Sequence, residues 1–309
     1  MPVAGLLAFA LQLAPAQADQ ARSFVSSLGN NANAPNCTRT APCRTFQVAH
    51  DSTLPSGEIS VLDPGSYGSV SVNRNISIVN DGVGEAGILI SGGNTGVTIN
   101  APGASVTVRG LTIKGIGFGG GDGIVVNAAA AVNVENCTIR NLDGPGVGIL
   151  VNPNTATALD VTTTAITDNV IAGIVINPSG TAVVSAVVDH VGLYNNGRGL
   201  WALSNSLGNG AVAVTVNDSV ASNNQIGIEG DSGQTAPTHV YVNRSVASFN
   251  PVIGIDAVGA FTQIVVNQSA VLQNGDGWDA TSGGHLWTTT TNLVFGNGSN
   301  GPTASWPLQ

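Results

Sequence analysis

Apolar positions along this chain fall in short runs that alternate with polar ones. Gly, Asn, Asp or Pro breaks the runs every few residues. That spacing predicts brief β-strands joined by tight turns, and no long stretch carries the three-to-four spacing of a helix. One short segment differs: Thr45-Phe-Gln-Val-Ala-His-Asp51 reads as an amphipathic helix capping the amino-terminal end, with Thr45 as N-cap.

The strand pattern repeats. Gly123-Ile-Val-Val recurs as Gly148-Ile-Leu-Val, Gly173-Ile-Val-Ile, Gly199-Leu-Trp-Ala, Gly227-Ile-Glu-Gly, Gly254-Ile-Asp-Ala and Gly277-Trp-Asp-Ala, at steps of 25, 25, 26, 28, 27 and 23 residues. A second landmark ending in asparagine follows each copy, as in Tyr241-Val-Asn-Arg-Ser-Val-Ala-Ser-Phe-Asn250. A unit of this size cannot bury its own apolar face, but stacked units can. The prediction is an all-β, single-stranded right-handed parallel β-helix, a solenoid whose strands pair with their equivalents one coil away, its hand set by the parallel-crossover rule. A β-propeller needs about 40–45 residues per blade. The leucine-dominated pattern of a leucine-rich repeat is absent.

The asparagines of the second landmark, Asn141, Asn169, Asn195, Asn224, Asn250, Asn274 and Asn297, read as one stacked turn column in which Asn accepts left-handed backbone and bonds the coils above and below. Asn217, Asn243 and Asn267 read as a shorter one. The organisation expected is a signal peptide at 1–18, then an N-terminal strand, disulfide loop and capping helix over 19–56. The β-helix follows over 57–297, and a tail over 298–309, with Trp306, covers the far end.

Charge narrows the partners. The chain has a formal net charge of −9 and a single lysine, Lys114. Such a surface repels phosphate backbones and anionic lipid, so nucleic acid and membrane surfaces fit poorly, whereas neutral glycans and cations do not. Gly5 to Leu13 has the length of a signal h-region and Ala16-Gln17-Ala18 that of a small-x-small cleavage site, which predicts export to the periplasm or cell surface. Cys37 and Cys43 lie six apart in one loop and fit a small disulfide, with two free thiols as the alternative; Cys137 is left over. No nucleotide, flavin or haem motif is present. Gly117-Phe-Gly-Gly-Gly-Asp-Gly123 reads as a turn before a strand rather than a phosphate loop.

The segments Ser23-Phe-Val-Ser-Ser-Leu-Gly-Asn30, Pro42-Cys-Arg-Thr-Phe-Gln47, Gly57-Glu-Ile-Ser-Val61 and Asp63-Pro-Gly-Ser-Tyr67 resemble the opening of bacterial pectin-lyase-like right-handed β-helix repeat proteins. The resemblance implies the fold over most of the chain. The superfamily spans lyases, hydrolases, esterases, epimerases and binders, so it does not select an activity. Val188-Asp-His190 also resembles the Asp-His element of pectate lyases, without its preceding tryptophan and without an Arg-x-Pro-x-x-Arg downstream. By sequence alignment His190 falls in the small-polar column of Thr164, Ser219, Ser245, Ser269 and Asn292.

Side chains alternate across a strand. In the glycine motif, the residue between the two core positions should therefore face outward, which stacks Val125, Leu150, Val175, Trp201, Glu229, Asp256 and Asp279 in one column. An aromatic would then stand beside three carboxylates, spaced by ~4.8 Å per coil. Asp231 and Asp276 lie near the same strands. Trp201 reads as a sugar-stacking platform or as a tryptophan covered by a loop, Trp278 as core, and Trp287 as outward on another strand.

Three functions fit. The first is a surface protein that binds extracellular or envelope carbohydrate, contacting sugar through Trp201, Arg198 and Arg244. The second is a polysaccharide lyase or glycoside hydrolase using Glu229, Asp256 and Asp279 as acid, base or nucleophile, or as a Ca²⁺ site with Arg198 or Arg244 as base. The third is a structural or adhesive envelope protein whose acidic edge keeps the solenoid soluble.

Overall fold

The computed structural model describes residues 20–116, 119–144, 146–204, 210–233 and 236–301 and the backbone of 304–305. The expected signal peptide and Trp306 lie outside the described residues. Three sheets of 12, 9 and 10 strands run the length of the molecule, every pair parallel and every neighbour one coil away in the sequence. The first holds the longer strands of each coil, such as Val212–Asn217 and Thr238–Asn243. The third holds three-residue strands such as Val220–Ser222, and the second holds the glycine motif, as in Ile226–Asp231. The chain is a parallel β-solenoid with almost no helix. No helix among the described residues is long and apolar enough to cross a membrane.

Alternation built this shape. Most inward positions are Val, Ile, Leu or Ala, and one continuous core runs from Val25 to Leu286. Trp278 belongs to it, in register with Ile255. Gln20–Val25 already pairs with Thr53–Val61 in the first sheet, so the sheet starts before residue 57. Coiling also continues past 297: Ser299 bridges Asp276, and Ala304–Ser305 pairs with Trp287 and Thr288. A short helix spans Phe46–Asp51, with Thr45 Oγ1 accepting from the Val48 amide. Cys37 and Cys43 form a disulfide, and Cys137 is a buried free thiol.

In six successive coils the corner between the first and third sheets has two residues, from 136–137 through 190–191 and 244–245 to 268–269, whereas the corner between the second and first sheets varies in length. The first residue of the short corner is left-handed throughout: Asn136, Thr163, His190, Asp218, Arg244 and Gln268. His190 therefore stacks with Asp218 and Arg244. The member of the small-polar column in its coil is Val191, whose amide bonds Ser219 Oγ at 3.0 Å. The alignment by sequence was one residue off here, because Val-Val-Asp satisfies alternation in either register.

The same offset separates two functions that the asparagine landmark had merged. The left-handed residues after the third sheet are Asn141, Asp168, Asn195, Asn223, Phe249 and Gln273. The hydrogen-bonded ladder is the next position: Asn169, Asn196, Asn224, Asn250, Asn274 and Asn297, with Leu142 in place of Asn141. From Asn196 onward each ladder oxygen accepts both the backbone N–H and the side-chain amide of the previous rung, as Asn224 Oδ1 does from Asn196 at 2.9 and 3.1 Å. From Asn196 onward each ladder amide also donates to a carbonyl of the coil before, as Asn224 does to Leu193 at 2.9 Å. The Asn217–Asn243–Asn267 row is joined by amide bonds of 3.4 and 2.9 Å.

The glycine of the repeat motif is required by close approach between coils. A Cβ on Gly254 would stand 2.5 Å from the Gly277 carbonyl oxygen and 2.7 Å from the Asn274 amide nitrogen. Neither backbone nor ladder can yield, so Gly254→Ala should cost roughly 2–4 kcal/mol in urea unfolding. An unchanged midpoint would show that the coils are not packed at this distance.

Candidate functional site

The outward column of the second sheet forms as the glycine motif requires. Val125, Leu150, Val175, Trp201, Glu229, Asp256 and Asp279 follow one another in register. The column has two halves. In the early half Val147, Ala172 and Val175 make a small buried apolar cluster, against which Leu150, Ile171 and Trp201 pack. In the late half three carboxylates stand on successive coils.

Two expectations change. The carboxylates do not lie in open water: Glu229 is only 4% exposed and Asp256 7%. They point away from the core but are covered by neighbours on the same face. Trp201 is not an open platform either. The Arg198 guanidinium sits 4.2 Å from its ring centroid, and the indole leans on the apolar cluster. Its Nε1 is buried and has no partner among the described residues. Arg198 also ion-pairs through Nε with Glu229 Oε2, which joins the aromatic and acidic halves. This stack was not legible in the repeat pattern, because Arg198 precedes the motif and reaches Trp201 only by its side-chain direction. Its one sequence signal is that Arg198, three residues before Trp201, occupies a position that is apolar in the coils just before and after, at Ala172 and Ile226.

Asp256 is the centre of the acidic half. Its Oδ1 is buried without a donor among the described residues. Burial, and then the like charges of Glu229, Asp279 and Asp231, push its carboxyl up to about 7, against a smaller pull from Arg198. Burial also raises Glu229, with Arg198 offsetting part of it, and raises Asp231. Asp279, half-buried, accepts from the Ala280 amide at 2.7 Å, and Asp276 accepts from Ser299. The face thus offers a carboxyl able to take or give a proton near neutrality, beside a carboxylate fixed by a guanidinium.

Other candidate residues lie elsewhere. Arg244 is not at this face: it sits at the corner between the first and third sheets and grips Asp218 through two bonds of 2.9 and 2.6 Å. Glu229, Asp256 and Asp279 do not converge as a Ca²⁺ shell. Stacked side chains run parallel, one coil apart, and Glu229 is turned to Arg198. Among the described residues the set with ligand atoms within 4.8 Å of one another is Asp189, His190 and Asp218. His190 Nδ1 is 2.8 Å from Asp189 Oδ2, a contact that raises its pKa.

No family model and no curated protein matches the chain. Among solved structures, pectate lyase Pel9A is similar with a TM-score of 0.66 at 16% identity, over 93% of this chain and 78% of that one. A GH136 lacto-N-biosidase from Eubacterium ramulus (TM-score 0.46, 9% identity, 92% and 67% of the two chains) and the A-module of the Azotobacter vinelandii mannuronan C-5 epimerase AlgE6 (0.40, 13%, 82% and 91%) superpose more loosely. The fold is that of the pectin-lyase-like right-handed parallel β-helices. At such identity the likeness shows fold alone.

Proposed function

We propose that this protein is an exported surface or envelope protein that engages carbohydrate, and that Arg198, Glu229, Asp256 and Asp279 contact the sugar. The observation that carries the reading is the buried, unpartnered Oδ1 of Asp256. Leaving such an acceptor unpaired costs about 1–3 kcal/mol. A sugar hydroxyl is a donor of the right kind to relieve it. The face carries four carboxylates, Glu229, Asp231, Asp256 and Asp279, against one guanidinium already paired with Glu229, which favours an uncharged glycan over a polyanion. The Cys37–Cys43 disulfide fits an oxidising compartment.

The test is isothermal titration of residues 19–309 against soluble neutral and acidic polysaccharides, with Glu229→Gln and Asp256→Asn alongside. Wild type should bind a neutral polymer, and each substitution should weaken it by about tenfold. Absence of binding to every polymer, or variants that bind like wild type, would refute this reading.

A second reading, cleavage, is favoured by Asp256 titrating near 7. Carboxyls on adjacent coils, ~4.8 Å apart, are close to the ~5–5.5 Å separation of retaining glycosidases. New reducing ends from wild type, lost in Asp256→Asn, would establish hydrolysis, and unsaturated ends would establish a lyase. Neither product from a polymer that binds would exclude cleavage.

A further inference from the structure

The first sheet carries a different outward surface, which the repeat motif does not single out. Its central outward column runs Val187, Thr215, Tyr241, Val265 and Trp287, in register coil by coil. Tyr241 is 47% exposed, and Trp287 is half-buried with the His285 ring stacked beside it at 5.4 Å and 14°. On one flank stand Ala213, His239, Gln263 and His285; on the other is the amide row Asn217, Asn243 and Asn267. Asn243 and Asn267 each spend one amide hydrogen on the row, and the other has no partner among the described residues. Over these coils, from Val212 to Trp287, the outward positions of the sheet include no carboxylate, lysine or arginine, in a chain of net charge −9.

We propose that this face is a glycan track, separate from the carboxylate column, that holds an extended, uncharged β-1,4-linked polysaccharide running along the solenoid axis. Three features point to that ligand. Flat aromatic rings flanked by amides are the usual partners of a pyranose, whose C–H face stacks while its hydroxyls bond sideways. The neutral surface matches a neutral chain and gives a polyanion or polycation nothing to pair with. Spacing supplies the third. Tyr241 and Trp287 are two coils apart, ~9.6 Å at ~4.8 Å per coil, close to the length of one disaccharide in an extended chain. Neighbouring rings in a β-1,4-linked chain are flipped, so alternate rings present the same face, and these are the rings that Tyr241 and Trp287 would meet. Val265, between them, leaves room for the intervening ring. The inference shares with the proposed function only the premise that the ligand is carbohydrate.

The probes are cellohexaose, xylohexaose and mannohexaose with their shorter homologues, titrated into residues 19–309. At least one hexasaccharide should bind, and its affinity should rise steeply between the disaccharide and the tetrasaccharide, because two aromatics two rings apart cannot both be engaged by a disaccharide. Tyr241→Ala and Trp287→Ala should each weaken binding about tenfold, Tyr241→Phe should retain it, and Tyr194→Ala, which removes an exposed aromatic from the third sheet, should leave it unchanged. No binding by any of the three hexasaccharides overturns the proposal, as does a disaccharide that binds as tightly as the hexasaccharide. Loss in Asp256→Asn with normal binding in Tyr241→Ala and Trp287→Ala overturns the track while sustaining the carboxylate column. The reverse pattern sustains the track alone.

Discussion

Replacing Asp256 by Asn should make the protein more stable at pH 8, by roughly 2–4 kcal/mol, and leave it unchanged near pH 4. The direction follows from the proton. In the unfolded chain this carboxyl ionises at its ordinary 3.8, and in the folded protein at about 7. Between those values the folded state holds a proton that the unfolded state has released, so wild-type stability falls as pH rises. The stabilisation is intact below about 4 and gone above about 7, at ~1.4 kcal/mol for each unit separating the two pKa values. Asn has the shape of the protonated acid and does not titrate, so the variant should lack this slope. Its amide also removes the repulsion from Glu229 and Asp279 on the neighbouring coils. Urea midpoints of both proteins from pH 4 to 9 decide the matter: curves that stay parallel across the range would mean that Asp256 ionises normally in the fold. A gain in stability on removing a polar group is expected where a site is kept under strain for a ligand.

The ladder should respond in the opposite way and more strongly. Asn224→Ala strips the Asn196 backbone N–H of its acceptor, leaves the Leu193 carbonyl without its donor, and opens a void in a rung that is fully buried. Two orphaned buried groups at about 1–3 kcal/mol each, plus the void, put the cost at roughly 3–5 kcal/mol. Its neighbour Asn223 supplies the control. Asn223 is exposed and left-handed, with φ 57°. Asn223→Ala should lose only about 1 kcal/mol, and Asn223→Gly nothing. Unfolding in urea that ranks Asn223→Ala at or above Asn224→Ala would mean that the two positions have been assigned the wrong way round.

That pair also shows what a sequence can and cannot display. The period and the stacking of Trp201 with Glu229, Asp256 and Asp279 were legible, because alternation and a glycine at close approach leave one register for the second sheet. The split between the ladder and the left-handed column was not. Both positions accept Asn, and in Asn195-Asn196 and Asn223-Asn224 they lie side by side. Placing Arg244 at the carboxylates failed because a corner separates residues close in sequence onto different faces. Arg198 over Trp201 and the lone oxygen of Asp256 depend on side-chain rotamers and on which neighbours cover them, and binary pattern carries neither. The outward position of Tyr241 follows from alternation as clearly as those of the glycine motif do.

The two-residue corner of the central coils and the ladder together give the molecule a unit of inheritance. Each coil accepts from the one before the bonds it offers to the next, in all three sheets and in the ladder. A whole coil can therefore be duplicated or excised by unequal recombination without creating a new kind of contact. Differences in coil length collect at the other two corners, between the second and first sheets and between the third and second, which the two-residue turns do not constrain. Growth by whole coils would lengthen each face of the solenoid in proportion, so the length of every outward column is itself a heritable, stepwise quantity.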